Sequence, residues 1–248
     1  KHYAGLLDVA YKAIKEVRPD VTVGGGAAVL VPIPWFRDLF SHGSLEDFDA
    51  AVVHPYRATP EGVELDLQDL RQLMVDQKKG KAKPVWVTET GRIDPSEEGR
   101  WHIARYLTRM YTLQMSEGVE KFYWYLARDY QTFVSMGLTR DENNEGGRYA
   151  VAPAYVAYAT LIRQLHHTSF IKREVTDSRV RVYAFSRGDE QIRVAWATVP
   201  SHVSFQTDGP LTVVDLVGGE QILSPVNGQI ALTLTENAVY INCLLYTS

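Results

Sequence analysis

The feature that most constrains this chain is a change of pattern near residue 168. Before it, runs with apolar residues at helical spacing alternate with short apolar runs of β-forming residues. After it, only short alternating runs remain, separated by turn signals such as "RGDE" and "VGGE". The first pattern asks for a parallel sheet covered by helices, the second for antiparallel strands. We place the boundary at 168–170, so the expected domains are residues 1–168 and 169–248.

Residues 2–18 predict a helix with Tyr3, Leu7, Ala10, Ile14 and Val17 on its inner face, ended by Pro19 and Asp20. "VTVGGG" (21–26) reads as a buried strand, followed by a short helix after Pro34 using Trp35, Phe36, Leu39 and Phe40. "FDAAVVHPY" (48–56) is the second strand. Asp66 is placed to cap the next helix, which buries Leu67, Leu70 and Met74 and stops at Gly80. "KPVWVTET" is the third strand. A long helix from about Glu97 to Ser116 follows, with Trp101, Ala104, Leu107 and Tyr111 inward. "KFYWYLARD" (121–129) is the fourth strand, and a polar loop with Asn143, Asn144, Gly146 and Gly147 comes after it. Pro153 opens a helix with Tyr155, Tyr158, Ile162 and Leu165 on one face. Beyond residue 169, "RVRVYAFSR", "QIRVAWAT", "LTVVDLV", "QIALTLT" and "AVYINC" suggest an antiparallel sandwich of roughly 75 residues. Four βα units are too few for a closed eight-stranded barrel, which takes about 250 residues alone. The pattern leaves an open doubly wound sheet and half of a barrel as alternatives.

Charge and composition remove several functions. The 30 acids against 26 bases give a net charge of −4, and no run of five bases occurs. Phosphate-tracking nucleic-acid binding, which needs clustered Lys and Arg, is disfavoured. The longest apolar stretch, 27–36, is short and broken by Pro32 and Pro34, so no membrane-spanning helix is expected. Cys243 is the only cysteine, which excludes an internal disulfide and a cysteine zinc cluster and assigns no compartment. The chain opens on Lys1 inside a helix and closes on "CLLYTS". These ends read as a cut and an appended tail.

In parallel α/β folds, ligands gather where strands deliver their C-terminal ends. Here those ends carry Gly24, Gly25 and Gly26, then His54 and Tyr56, then Glu89, then Trp124, Arg128 and Asp129. "VWVTETG" poses the sharpest question, because a carboxylate closing a buried strand costs free energy unless it is paired or used. Aromatic rings to stack on pyranose faces, with polar tips for hydroxyls, make this a plausible sugar site. Glycosidic cleavage needs two carboxylates, and Glu89 offers one. On the residues alone, a structural Glu89 paired with Arg92 or Arg128 is the simpler reading. His54 and Tyr56 read equally well as strand-end hydrogen-bonding groups. The three glycines are not followed by Gly-Lys-Ser/Thr and no helix opens there, so a phosphate loop, and with it a flavodoxin-like enzyme, is disfavoured. His166 and His167 suit a helix C-terminus, and no metal or other cofactor is assigned.

At these residues the chain resembles the retaining clan A glycoside hydrolases, with a family 39 and family 5-like character. "KPVWVTETG" is similar to their seventh strand, "YAGLLDVAYKAIKEVRPDVTVGGG" to the fourth helix and fifth strand, and "DFDAAVVHPY" to the sixth strand. "GVEKFYWYLARD" resembles the eighth strand, "YAVAPAYVAYATLIRQL" the eighth helix, and "ENAVYI" the closing strand of an accessory sandwich. The resemblance implies half of a TIM barrel, its four C-terminal βα units, followed by a small antiparallel β-sandwich. It implies Glu89 as nucleophile and His54, Tyr56, Trp124 and Asp129 as carbohydrate-binding residues; the compartment is left open, a secreted or periplasmic parent being one reading.

One departure matters. The clan's acid/base Glu, usually within an Asn-Glu-Pro triplet, has no counterpart here. It is expected upstream of Lys1, which leaves this chain weak or inactive alone. A half barrel also has open strand edges, so self-association into a homo-oligomer is expected. The alternative from another class is a carbohydrate-binding or scaffolding module without catalysis.

Overall fold

The computed structural model describes residues 1–244 except 79, 80, 97, 131, 132, 134 and 176. The expected helix stop at Gly80, helix start at Glu97 and the tail beyond residue 244 lie outside the described residues. The chain divides into two compact units: Lys1–Arg92 with Leu113–Tyr125, and Ile93–Thr112 with Leu126–Ser248.

The first unit is built on a parallel sheet of β1 (Gly24–Val29), β2 (Ala50–His54), β3 (Val85–Thr90) and β4 (Lys121–Trp124), in that order. Strand β2 is buried throughout, as a run of AAVV between two parallel neighbours must be. Strand β1 begins three residues later than "VTVGGG" suggested, and the reason is close approach. A Cβ on Gly24 would lie 2.7 Å from the Val52 side chain, and one on Gly25 would lie 2.7 Å from Phe48. The glycines therefore form the pairing segment against β2, in register Gly24↔Ala50 and Gly25↔Ala51.

Helix α1 (His2–Val17) buries only Ala4 and Leu7, while Val17, expected inward, is 77% exposed. Polar ties supplement that thin apolar contact. The Tyr3 hydroxyl accepts from the Gly26 amide at 2.9 Å. Tyr11 donates to Asp49 at 2.9 Å, and Lys15 pairs with the same carboxylate at 2.8 Å. Helix α2 (Ile33–Ser41) buries Phe36, Leu39 and Phe40 as read, and α3 (Val63–Lys78) buries Leu67, Leu70 and Met74. Asp66 lies inside the first turn of α3 and pairs with Arg57 rather than capping the helix.

Helix α4 (Gly99–Ser116) passes from the second unit into the first at Leu113. It buries Ala104, Leu107 and Tyr111 but leaves Trp101 44% exposed. Helix α5 (Pro153–Leu165), in the second unit, turns inward the small residues Ala154 and Ala157 with Leu161 and Leu165. Tyr155 and Ile162, expected inward, are about half exposed. Tyr158 shares a 2.6 Å hydrogen bond with Tyr111, and burial pushes the Tyr111 phenol above its usual range.

The remaining strands are antiparallel. They are β5 (Ser169–Arg173), β6 (Val180–Arg187), β7 (Glu190–Ala197), β8 (Ser201–Gln206), β9 (Leu211–Val214), β10 (Glu220–Leu223), β11 (Gln229–Leu234) and β12 (Val239–Leu244). A six-stranded sheet has the order β10-β9-β12-β7-β6-β5, and β11 pairs with β8 separately. Val182, Ala195, Leu211 and Ile241 of the larger sheet share one core with Ile230 and Leu234 of β11. The five strands read from sequence are present. Strands β5 and β10 are exposed and lack the apolar alternation of β6 and β7, and β8, whose Val203 and Phe205 alternate inward, was not read either. Together the sheets give a mixed α/β fold, with one parallel and two antiparallel parts.

Candidate active site

Strand β3 carries Glu89 at its C-terminal end, and its register against β4 shifts between Val87 and Thr90. Such an irregularity re-aims side chains locally. Here Thr88 and Glu89, neighbours in sequence, both reach groups at the end of β2. Thr88 Oγ1 shares a 2.8 Å hydrogen bond with His54 Nε2. His54 Nδ1 lies 3.7 Å from Glu89 Oε2, and the Tyr56 hydroxyl donates to that same oxygen at 3.0 Å. The Glu89 side chain is 41% exposed and that of His54 11%. One carboxylate oxygen is thus held by a hydroxyl while the group as a whole faces solvent, an arrangement that orients the carboxylate and leaves it open.

The support continues one layer down. Thr90, fully buried, donates its hydroxyl to the Pro55 carbonyl at 3.2 Å. That bond fixes the end of β3 to the segment between His54 and Tyr56. Trp124 pairs with Thr90 in the β3–β4 register, and the Tyr125 amide donates to Thr90 at 2.8 Å. On the other side, β1 ends under strain: beyond Gly26, Ala27 and Leu30 have φ of +51° and +65°. The Leu30 amide donates to the His54 carbonyl at 2.8 Å, so the strained end is secured to the strand that presents the imidazole. Backbone strain of this kind, about 1–3 kcal/mol per residue, concentrates where a site is being shaped.

The structure therefore brings Glu89, His54 and Tyr56 together and places Trp124 on the adjoining strand. Asp129 stands in the second unit with a different environment. It is 4% exposed, its Oδ1 accepts from the Gly137 amide at 2.7 Å and its Oδ2 from Arg100 at 3.2 Å. The expected fourth strand is also shorter than read. Only Lys121–Trp124 pair with β3, and the following residues enter a separate ladder in which Arg128 pairs with Thr139 and Thr139 with Val151. Arg128 lies over the Tyr149 ring instead of pairing with Glu89. Thr88 and Thr90 were not singled out from sequence. The available signal was the replacement of apolar strand residues by two hydroxyls flanking one carboxylate. No helix is long and apolar enough to cross a membrane among the described residues.

No curated protein matches this chain. It is similar to the structure of a family 39 glycoside hydrolase from the gut symbiont Bacteroides cellulosilyticus WH2. The TM-score is 0.82 at 25% identity, over 96% of this chain and 54% of that one. A family 39 beta-xylosidase from Caulobacter crescentus gives a TM-score of 0.63 at 18% identity, covering 97% and 61%. A family 86 beta-porphyranase from the human gut bacterium Bacteroides plebeius gives 0.73 at 11% identity, covering 99% and 52%. The last two show likeness of fold alone. This chain spans roughly half the length of the family 39 structure from Bacteroides. Residues 1–147 match the family model described as the glycosyl hydrolase catalytic core, and the chain belongs to that family.

Proposed function

We propose that Glu89 is the nucleophile of a retaining glycoside hydrolase. The observation that carries this reading is a strand-end carboxylate 41% exposed, with Oε2 accepting from the Tyr56 hydroxyl and lying 3.7 Å from the His54 imidazole. In this reading Oε1 attacks the anomeric carbon, the glycosidic bond breaks, and the leaving oxygen takes a proton from a second carboxylic acid. Water deprotonated by that second group then releases the sugar. Tyr56 keeps Oε2 oriented throughout. His54, steadied by Thr88, supports the same oxygen or a sugar hydroxyl, and Trp124 supplies a stacking surface. Asp129 serves as a positioning residue for the segment that follows β4.

The acid/base partner must sit about 5–5.5 Å from the nucleophile. We assign it to the part of the structural neighbours' length that these 248 residues do not span, which makes the chain alone weak or inactive. The four-stranded parallel sheet is then half of an eight-stranded barrel within residues 1–168, and residues 169–248 are an accessory sandwich. Strands β1 and β4 are the sheet's edges. In isolation they favour association with a second copy.

Dinitrophenyl β-glycosides test the reading, because their leaving group needs little acid assistance. Release that rises with azide and disappears in Glu89→Gln is the expected result. Absence of release from every sugar in the panel, even when the chain is joined to an acid/base-bearing half barrel, overturns it. Saturable sugar binding that survives Glu89→Gln without covalent labelling would instead support a binding module.

A further inference from the structure

The segment after β4 holds a feature the catalytic reading does not use. Two guanidinium groups are gathered on one phenol ring: Arg128 lies 5.5 Å and Arg148 5.0 Å from the centroid of Tyr149. Both distances are within reach of a cation–π contact. The arms that bring them together are hydrogen-bonded to each other. The Asp129 amide donates to the Thr139 carbonyl at 2.9 Å, Thr139 returns a bond to Ala127 at 3.0 Å, and the Arg140 amide donates to Ala150 at 2.8 Å. Tyr149 itself has φ +58°, a conformation a bulky side chain rarely adopts. It is held there by its amide bond to the Asp141 carbonyl at 3.2 Å and by its hydroxyl donating to Glu142 at 3.2 Å.

The charges are what single this place out. Several arginines elsewhere in the second unit meet carboxylates, among them Arg100 with Asp129, Arg163 with Glu220, Arg187 with Glu190 and Arg193 with Glu174. Arg128 and Arg148 have no carboxylate partner among the described residues. Among the described residues, the one side-chain hydrogen bond of this pair is from Arg148 to the Tyr149 hydroxyl, at 3.3 Å. The nearby acids are otherwise engaged. Glu142 receives the phenol, and Asp141 accepts from the Asn143 amide at 2.9 Å. Two like charges held on one exposed ring repel each other, and a ligand carrying a negative charge relieves that repulsion.

We propose that Arg128, Tyr149 and Arg148 form a binding site for a sugar unit bearing an anionic substituent, a uronate carboxylate or a sulfate ester. The guanidinium forks match either oxyanion geometry, and the ring of Tyr149, 37% exposed, offers the apolar face a pyranose stacks on. The proposal rests on the carbohydrate reading above and narrows its substrate class to acidic glycans.

The test is equilibrium titration of the 248-residue chain with methyl β-glucuronide, methyl β-glucoside and glucose 6-sulfate, followed by NMR. The first two probes differ at C6 alone. The expected result is tighter binding of at least one charged probe, whichever of the two identifying the substituent. That preference should fall roughly tenfold or more in Arg148→Gln and in Arg128→Gln and weaken as salt is raised. Binding of the neutral glucoside should be unchanged in both variants. Both side chains are exposed, so an unchanged melting temperature verifies folding. Equal binding of charged and neutral probes, no binding of any of them, or charged-probe binding indifferent to both substitutions overturns the proposal. Glu89→Gln is expected to leave this binding intact, so failure of the catalytic assignment is read separately.

Discussion

Glu89 and Asp129 both stand where an apolar strand run ends, the one expected as nucleophile and the other as a carbohydrate-binding residue. Their environments are opposite. Glu89 is 41% exposed and has one oxygen engaged, by the Tyr56 hydroxyl, with the His54 imidazole 3.7 Å away. Asp129 is 4% exposed, with a backbone amide on one oxygen and a guanidinium on the other. A carboxylate with both oxygens satisfied and no access to solvent serves the architecture. One that is oriented yet open remains available to a reacting atom.

The comparison can be broken by exchanging the consequences of substitution. With the chain joined to an acid/base-bearing half barrel, Glu89→Gln is expected to reduce dinitrophenol release by roughly ten-thousand-fold while moving stability by no more than about 0.5 kcal/mol. Kinetics on one hand and thermal melting on the other check both halves. Asp129→Ala should do the reverse. It strips the partner from Arg100, 19% exposed, and from the buried Gly137 amide. The expected cost is about 3 kcal/mol in urea unfolding. A variant that unfolds like the wild type would remove the distinction drawn here.

Gly137→Ala attacks the same architecture from the backbone. A Cβ there would lie 2.1 Å from the Asp129 nitrogen and 2.6 Å from the Arg128 carbonyl carbon, neither of which can move alone. A loss of about 2–3 kcal/mol is expected, together with lost amide-exchange protection at Asp129 and Thr139. On the catalytic side, Tyr56→Phe removes the donor to Glu89 Oε2 and should lower the azide-stimulated rate by roughly ten- to a hundredfold with the fold intact.

The smallest effect concerns pH. Burial pushes the Asp49 carboxyl up, but hydrogen bonds from Lys15, the Val23 amide and Tyr11 outweigh it and hold the group below its usual value. Its stabilisation is therefore present above the ordinary carboxylate range, around pH ~4, and fades as pH falls through the depressed value. Asp49→Asn should cost about 1 kcal/mol near neutrality, and the difference from wild type should shrink in melts taken on the acid side of that window.

Much of the order of elements was legible because it rests on local periodicity. The run Val85–Val87 announced β3, and Leu67, Leu70 and Met74 announced the inner face of α3. Exposure was less legible. Val17 and Ile162 satisfy a helical apolar face, yet the opposing surface decides whether they are covered, and it favoured Ala4 and Leu7 in α1 and Ala157 and Leu161 in α5. Strand β1 was displaced from its reading because glycine has no pattern of its own, and only Val52 and Phe48 determine where backbone can approach backbone.

The candidate site divides in the same way. That a carboxylate stands where a buried strand ends is written in "VWVTETG" itself, since an apolar run followed by Thr-Glu-Thr-Gly must surface there. Which oxygen is held, and by what, depends on Tyr56 and His54, more than thirty residues away in the chain. That Asp129 is closed off by Gly137 and Arg100, and that Arg128 meets Arg148 across Tyr149, depends equally on distant residues. Periodicity fixes what a segment is because it arises from bonds between near neighbours. Partnership between side chains arises only when folding brings distant backbone together, so the tertiary structure alone decided which charged groups were satisfied and which were left open.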